Sequence, residues 1–399
     1  MPNPSTETIP RGAIAMLSLA AFASALSLRT TDALLPKLAG EFAISVGTAS
    51  YVITFFSVAY GLSQLFFGPL GDRFGKYLVI AWACTACILT ASLCALAPSF
   101  SLLLVARLLA GGTAAAIIPL SMAWIGDVIP YDQRQPVLAR FLVGQIVGVA
   151  AGVFIGGIAA DYLSWRTPFM LIAFLFVIVS ISLFYLNRRL PEFARKTSPS
   201  QGHTFQRLIS EFSQIIAKPW ARIVMVSVFL EGTFVFGALA FIATHIHQKH
   251  GISLSVAGSM VMLYGFGGLL FATSAAVFVR RLGERGLSCW GGILIGISML
   301  LIAYSPTWWL ATVGCFMAGL GFYMLHNTLQ INATQMAPER RGTAVSSFAC
   351  CFFFGQSVGV FVAGLLIELV GPTLIIASGG LGATAVGIAF SRLLSRRPG

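Results

Sequence analysis

The sequence predicts an all-α membrane protein, with twelve transmembrane helices in two pseudo-symmetric bundles of six. Three observations carry this expectation. First, 57% of the 399 residues are hydrophobic and only 10% are charged, where a soluble domain carries about 25% charged residues. A water-soluble core cannot hide that much apolar surface. Second, apolar runs of the length a bilayer requires, about 20 residues, recur along the whole chain. Third, the halves echo one another. Arg73-Phe74-Gly75 returns as Arg281-Leu282-Gly283, Pro98 as Pro306 and Pro130 as Pro338, each 208 residues later.

In chain order, the first run covers 12–36. It begins like a secretory leader, with Arg11, an apolar stretch and Ala23-Ser24-Ala25. The run continues past Ala25 and eleven more follow, so a retained helix is expected. The next five are 48–70, 78–97, 101–124, 137–160 and 167–186, separated by charged, Pro or Gly breaks. The longest polar stretch comes next and contains RRLPEFARKTSPSQGH. Residues 188–219 are expected to form a cytoplasmic linker between an N-terminal bundle, 1–187, and a C-terminal bundle, 220–399. The second half supplies 221–246, 254–279, 287–304, 308–330, 343–369 and 373–391. None shows the alternation of a barrel strand, so helices are expected throughout. Six is even, so both halves have one orientation, related by an axis along the membrane normal.

The net charge of +12 suggests a nucleic-acid partner until its placement is read. With the N-terminus cytoplasmic, cytoplasmic segments hold 20 of the 25 Lys and Arg, and the opposite side holds only Lys37, Arg166 and Lys249. This is the positive-inside pattern, and it predicts both termini in the cytoplasm of a cell in whose inner membrane the chain sits. The basic residues orient the protein; no nucleic acid is expected. All seven cysteines lie within spans, and no Cys/His set has zinc-site spacing. His245, His247 and His250 do not share one helix face, so no metal is expected there. There is no H-E-x-x-H, G-x-S-x-G or G-x-x-x-x-G-K-[ST] pattern, which argues against an enzyme and against ATP as the energy source. A proton gradient in place of any cofactor is the expectation.

GQIVGV at 144–149 and GQSVGV at 355–360 repeat one glycine-spaced phrase. Gly144, Gly148, Gly152 and Gly156 share a helix face, with Gly157 beside them; Gly355 and Gly359 repeat the spacing. Small residues at this interval let helix backbones approach closely. The seam reads either as fixed packing or as a sliding contact of helix five on helix eight and of helix eleven on helix two.

GPLGDRFGK, from Gly68 to Lys76, resembles the cytoplasmic loop motif of the major facilitator superfamily, G-x-x-x-D-R-x-G-R/K. The resemblance covers essentially the whole chain. Arg107 with Gly111 resembles the R-x-x-x-G pattern of proton-coupled branches. GVAAGVFIGG, from Gly148 to Gly157, resembles the helix-five signature of drug:proton antiporters, with Val153 in place of its proline. SWRTPF at 164–169 and APERRGTAVS at 337–346 are similar to loops of such exporters. The resemblance implies the major facilitator fold and alternating access. It also implies a gating loop built from Gly68, Gly71, Asp72, Arg73, Gly75, Lys76 and Asp127. Asp72 would cap helix eleven near Gly342 when the cytoplasmic side closes. Arg73 would pair with Asp127, and Gly71 and Gly75 would permit the turn.

Ionisable groups inside a span cost about 2.5–3.5 kcal/mol each. The chain carries few: Arg29, Asp32, Arg107, Glu231 and the milder His326. At about 1.5 Å per residue, Arg29, Asp32 and Arg107 reach similar depths in the first bundle. Glu231 and His326 could face each other across the second. Burial and a neighbouring arginine act on a carboxylate in opposite directions. Asp32 is therefore expected to be a proton-responsive acid tuned by Arg29 and Arg107, with a structural ion pair as the alternative. Glu231 is the second candidate, as a proton site or as the anchor of a cationic substrate. His326 reads either as a third titrating group or as a histidine bonded to a neighbour such as Asn327.

The expected function is secondary active transport: proton-coupled efflux of a small organic or drug-like molecule by a monomer in the lipid bilayer. The alternatives are a proton-coupled importer of a metabolite and a non-transporting membrane sensor.

Overall fold

A computed structural model of the chain describes residues 9, 10, 12–195 and 205–395, apart from the side chains of 131, 132, 205–209 and 211. Of the basic residues assigned to the cytoplasm, Arg11, Lys196, Arg396 and Arg397 lie outside these, as does the side chain of Arg207. Among the described residues all regular structure is helical. Ten helices are long and apolar enough to cross a membrane, but two of them, Leu254–Tyr304 and Pro338–Leu394, run to 51 and 57 residues. Each folds back once, at Gly283 (φ 61°) and Gly371 (φ 77°).

Twelve crossings result. The first bundle holds α1 (Gly12–Arg29), α2 (Tyr51–Phe74), α3 (Lys76–Leu96), α4 (Phe100–Val128), α5 (Tyr131–Tyr162) and α6 (Thr167–Arg189). The second holds α7 (Pro219–His250), α8 (254–282), α9 (284–304), α10 (Trp308–Gln335), α11 (341–370) and α12 (372–394). A helix at Phe205–Ala217 lies between them in sequence. The duplication extends to backbone geometry: the α2–α3 turn rests on Gly75 at φ 92°, and the α8–α9 turn on its counterpart Gly283. Only glycine enters that region without steric cost. Gly71 plays a different part from the expected one. Its φ is ordinary, and a methyl group there would meet Leu120 Cδ2 at 2.7 Å, so it is a packing glycine.

Apart from Gly157, which faces the start of α8, the glycine seam packs within each bundle rather than between them. A Cβ at Gly144, Gly148, Gly152 or Gly156 would lie 2.2–2.8 Å from the carbonyl oxygens of Ser18, Phe22, Leu26 and Thr30, all on or just past α1. In the second bundle, Gly355 and Gly359 meet the carbonyls of Phe229 and Thr233 on α7 in the same way, at 2.0 and 2.1 Å. A carbonyl oxygen cannot rotate aside as a side chain can, so Gly148→Val must separate α5 from α1. It is expected to lower stability by about 1–3 kcal/mol or more, read as a drop in the unfolding temperature of the purified protein. Val147→Ala, on the half-exposed neighbouring position, should change little.

The first span is shorter than the sequence suggests. α1 ends at Arg29, and residues 30–34 form a tight turn held by Thr30 N–H to Leu26 O (3.0 Å) and Asp32 N–H to Arg29 O (3.2 Å). Asp32 therefore sits on a buried turn and not on a continuous helical face. α7 is irregular at the matching depth: a π-helical stretch, Gly232–Phe236, precedes a break at residues 240–241. Interrupted helices at mid-membrane are tolerated where they line a cavity.

Candidate functional site

Between the bundles lies a cavity of about 2080 Å³. Its mouth is lined by Asp72, Lys76, Arg134, Arg140, Arg340 and Gly342, at the arginine-rich end of the helices. Its inner end is lined by Arg29, Gln64, Tyr264, Tyr323, His326 and Gln356, with Phe236, Phe322 and Phe352 around them. The cavity is open at the basic end and stops near the middle of the molecule.

The opposite end is closed by two contacts that the duplication relates. At the end of α5, Asp161 accepts the backbone N–H groups of Leu254 (3.2 Å) and Ser255 (2.6 Å), capping the start of α8. At the end of α11, Glu368 accepts the N–H of Gly47 (3.4 Å), just before α2. Asp161 and Glu368 are 207 residues apart; Gly47 and Ser255 are 208 apart. Each carboxylate of one bundle thus sits on unpaired N–H groups at a helix start of the other. Glycines bring the backbones into register: a Cβ on Gly157 would lie 2.5 Å from Leu254 O, and one on Gly47 would lie 2.0 Å from Gly364 O. Deeper in, Gln356 Nε2 donates to Ser57 Oγ (2.7 Å) and Ser357 Oγ to Thr54 O (2.9 Å), joining α11 to α2.

Two buried carboxylates flank the inner end. Asp32 (1% exposed) receives a hydrogen bond from Arg29 Nη1 at 3.2 Å, and Glu231 (0%) lies 2.8 Å from His326 Nδ1. In each pair the basic partner lines the cavity and the acid stands behind it. In each, the second carboxylate oxygen, Asp32 Oδ1 or Glu231 Oε1, has no partner. A buried carboxylate with a vacant lone pair is a place where a proton can add without breaking an existing bond. The expected meeting of Glu231 and His326 is therefore found, and Glu231 rather than Asn327 is the histidine's partner.

Arg107 departs from expectation. It is fully buried, but it donates to Ser27 O (3.0 Å) and Val52 O (3.1 Å) and stacks 4.2 Å above the Phe56 ring instead of bonding to Asp32. The early end of α1 leaves the Ser27 carbonyl open, and a guanidinium is a good partner for such an orphan. The gating loop also differs in detail. Asp127 bonds to Lys76 Nζ (2.7 Å), which also approaches Asp72 Oδ1 (3.1 Å); Arg73 lies over the ring of Phe74 instead. Asp72 and Gly342 both face the cavity mouth, the geometry of an open basic end. Lys218 pairs with Glu339 beside it.

Sequence reasoning assigns no role to Asp161 or Glu368. Their offset of 207, one residue from the 208 of the Arg-x-Gly and proline repeats, was the available signal. It also read the repeated phrase for its glycines alone, while its glutamines, Gln145 and Gln356, both line the cavity. The aromatic lining carried no distinguishing signal among 32 phenylalanines.

A family model for the Major Facilitator Superfamily matches residues 17–246 and 224–399. The chain is 25% identical to the MFS-type transporter YceJ of Bacillus subtilis (strain 168), over 84% of each chain. It is 23% identical to the quinolone resistance protein NorA of Staphylococcus aureus (strain COL), over 78% of this chain and 79% of that one. Among solved structures, the nucleoside transporter NupG superposes with a TM-score of 0.78 at 14% identity, covering 96% of this chain and 99% of that chain.

Proposed function

The chain belongs to the major facilitator superfamily, and from that premise we propose that it is a proton-coupled exporter of a small organic molecule, working by alternating access. The observation that carries the reading is a cavity open at one end only, with two acid–base pairs at its blind end and two duplicated caps sealing the other side. Such a cavity takes substrate from the face it opens to. The positive-inside rule makes that face the cytoplasm. Release requires the caps of Asp161 and Glu368 to part while Asp72 swings onto the start of α11. Asp32 and Glu231 are the proton carriers, and Arg29 and His326 are the groups through which protonation reaches the cavity. Similarity to a quinolone resistance protein supports the outward direction. Val153, where antiporters of the drug class have proline, favours the importer as the second reading.

Inside-out membrane vesicles energised with an acid interior test this. Organic compounds of varied charge should include at least one that accumulates only with the chain present and only with the pH gradient. Accumulation that ignores the gradient would make the chain a facilitator, and accumulation favoured by the reverse gradient would make it an importer.

A further inference from the structure

The blind end of the cavity has a chemical character of its own. The two buried acids stand behind it, so the basic side chains that line it at this depth, among the described residues, are Arg29 and His326, beside the hydroxyls of Tyr264 and Tyr323. The basic residues at the mouth follow from membrane orientation; Arg29, at the middle of the molecule, does not. Arg29 is 3% exposed; its guanidinium gives one Nη to Asp32, stacks 4.2 Å above the Phe236 ring and leaves Nε without a hydrogen-bond partner. A buried unpartnered donor is unfavourable, so a ligand acceptor there relieves a standing penalty. Tyr264, Phe322, Tyr323 and Phe352 form flat apolar walls beside it. A cationic ligand meets two obstacles: Arg29 already occupies the face of Phe236, and Glu231 is screened from the cavity by His326.

We propose that the inner end of the cavity binds an aromatic carboxylate, with its carboxylate on the free Nε edge of Arg29 and its ring between Tyr264, Phe322, Tyr323 and Phe352. This rests on the cavity being the substrate site. The class fits the outward direction, because an inside-negative potential favours exit of an anion.

Three shape-matched probes test it: 2-naphthoate, 2-naphthamide and 2-naphthylmethylammonium, titrated calorimetrically into the full chain in nanodiscs. The carboxylate should bind about tenfold or more tighter than the amide, the span of a hydrogen bond to a charged group, and the ammonium weakest. Arg29→Gln should erase the difference between carboxylate and amide, and Arg29→Lys should keep part of it. Preference for the ammonium, equal binding of carboxylate and amide, or no binding of any probe overturns the proposal, and none of these needs a variant to fold. Asn327→Trp, which fills the cavity, separates the two levels of the argument. Carboxylate binding that survives it overturns the cavity as substrate site as well. Ammonium binding that it abolishes leaves the site standing and removes only the anionic class.

Discussion

Replacing Asp161 and Glu368 together by alanine is expected to shift the molecule from the form open at its basic end toward one open at the opposite face. Each carboxylate caps a helix start across the bundle interface. Loss of a cap costs about 0.5–2 kcal/mol. The two caps lie on different helix pairs, α5 with α8 and α11 with α2, so their effects should nearly add. The population ratio should move by about fivefold to several hundredfold. Spin labels at Lys37→Cys and Gln248→Cys, both exposed at the closed end, would report it in a background freed of the native cysteines. The expected result is a longer inter-label distance appearing in the double variant, a smaller fraction of it in either single variant, and little in Asp161→Asn, which keeps an acceptor oxygen. A distance distribution identical to wild type in the double variant would mean that the glycine contacts and the α11–α2 hydrogen bonds hold this side shut without the caps.

The second large effect concerns coupling. Asp32→Asn removes an acid whose free oxygen can take a proton, while an amide oxygen remains for Arg29. Transport driven by the pH gradient should collapse. A gradient of two pH units supports roughly hundredfold accumulation per exchanged proton, at about 1.4 kcal/mol per unit; the variant should equilibrate near unity. Exchange of labelled for unlabelled substrate, which needs no net proton movement, should survive, and this separates lost coupling from lost folding. Glu231→Gln is expected to act in the same direction if both acids carry protons. It also leaves His326 without its charged partner, so its unfolding temperature should fall, and Glu231→Gln with His326→Gln should recover part of that fall. Two variants with full gradient-driven accumulation would assign both acids a purely structural role.

The fold was legible in the sequence because lipid imposes a simple demand: long apolar runs with few charges, repeated until the chain ends. The hairpins at Gly283 and Gly371 fall in the expected breaks, since the turn residues and charges stand there. The acids were legible for the same reason, as charge within an apolar run is rare and costly. Their partners were less so. Rise per residue gives depth, but the direction a side chain faces depends on helix rotation and on where a helix stops. Arg107 has the depth to reach Asp32, yet the end of α1 at Arg29 offers it the Ser27 carbonyl. Gly148 and Gly157 lie on one glycine-rich helix but face α1 and α8 respectively. Asp161 escaped notice because an acid at the end of a span is unremarkable until the helix start opposite it is known.

The most direct test of the central claim is proton movement driven by substrate alone. The purified chain would be reconstituted into vesicles containing a pH-sensitive dye, with equal pH on both sides, and a compound that accumulates in the vesicle assay added outside. A coupled exporter predicts that substrate entering through chains of one orientation drives protons out, so the interior becomes alkaline, and that Asp32→Asn abolishes the signal while retaining substrate exchange. Uptake of the same compound with no pH change in the wild-type chain would contradict proton coupling, and acidification of the interior would contradict export by antiport.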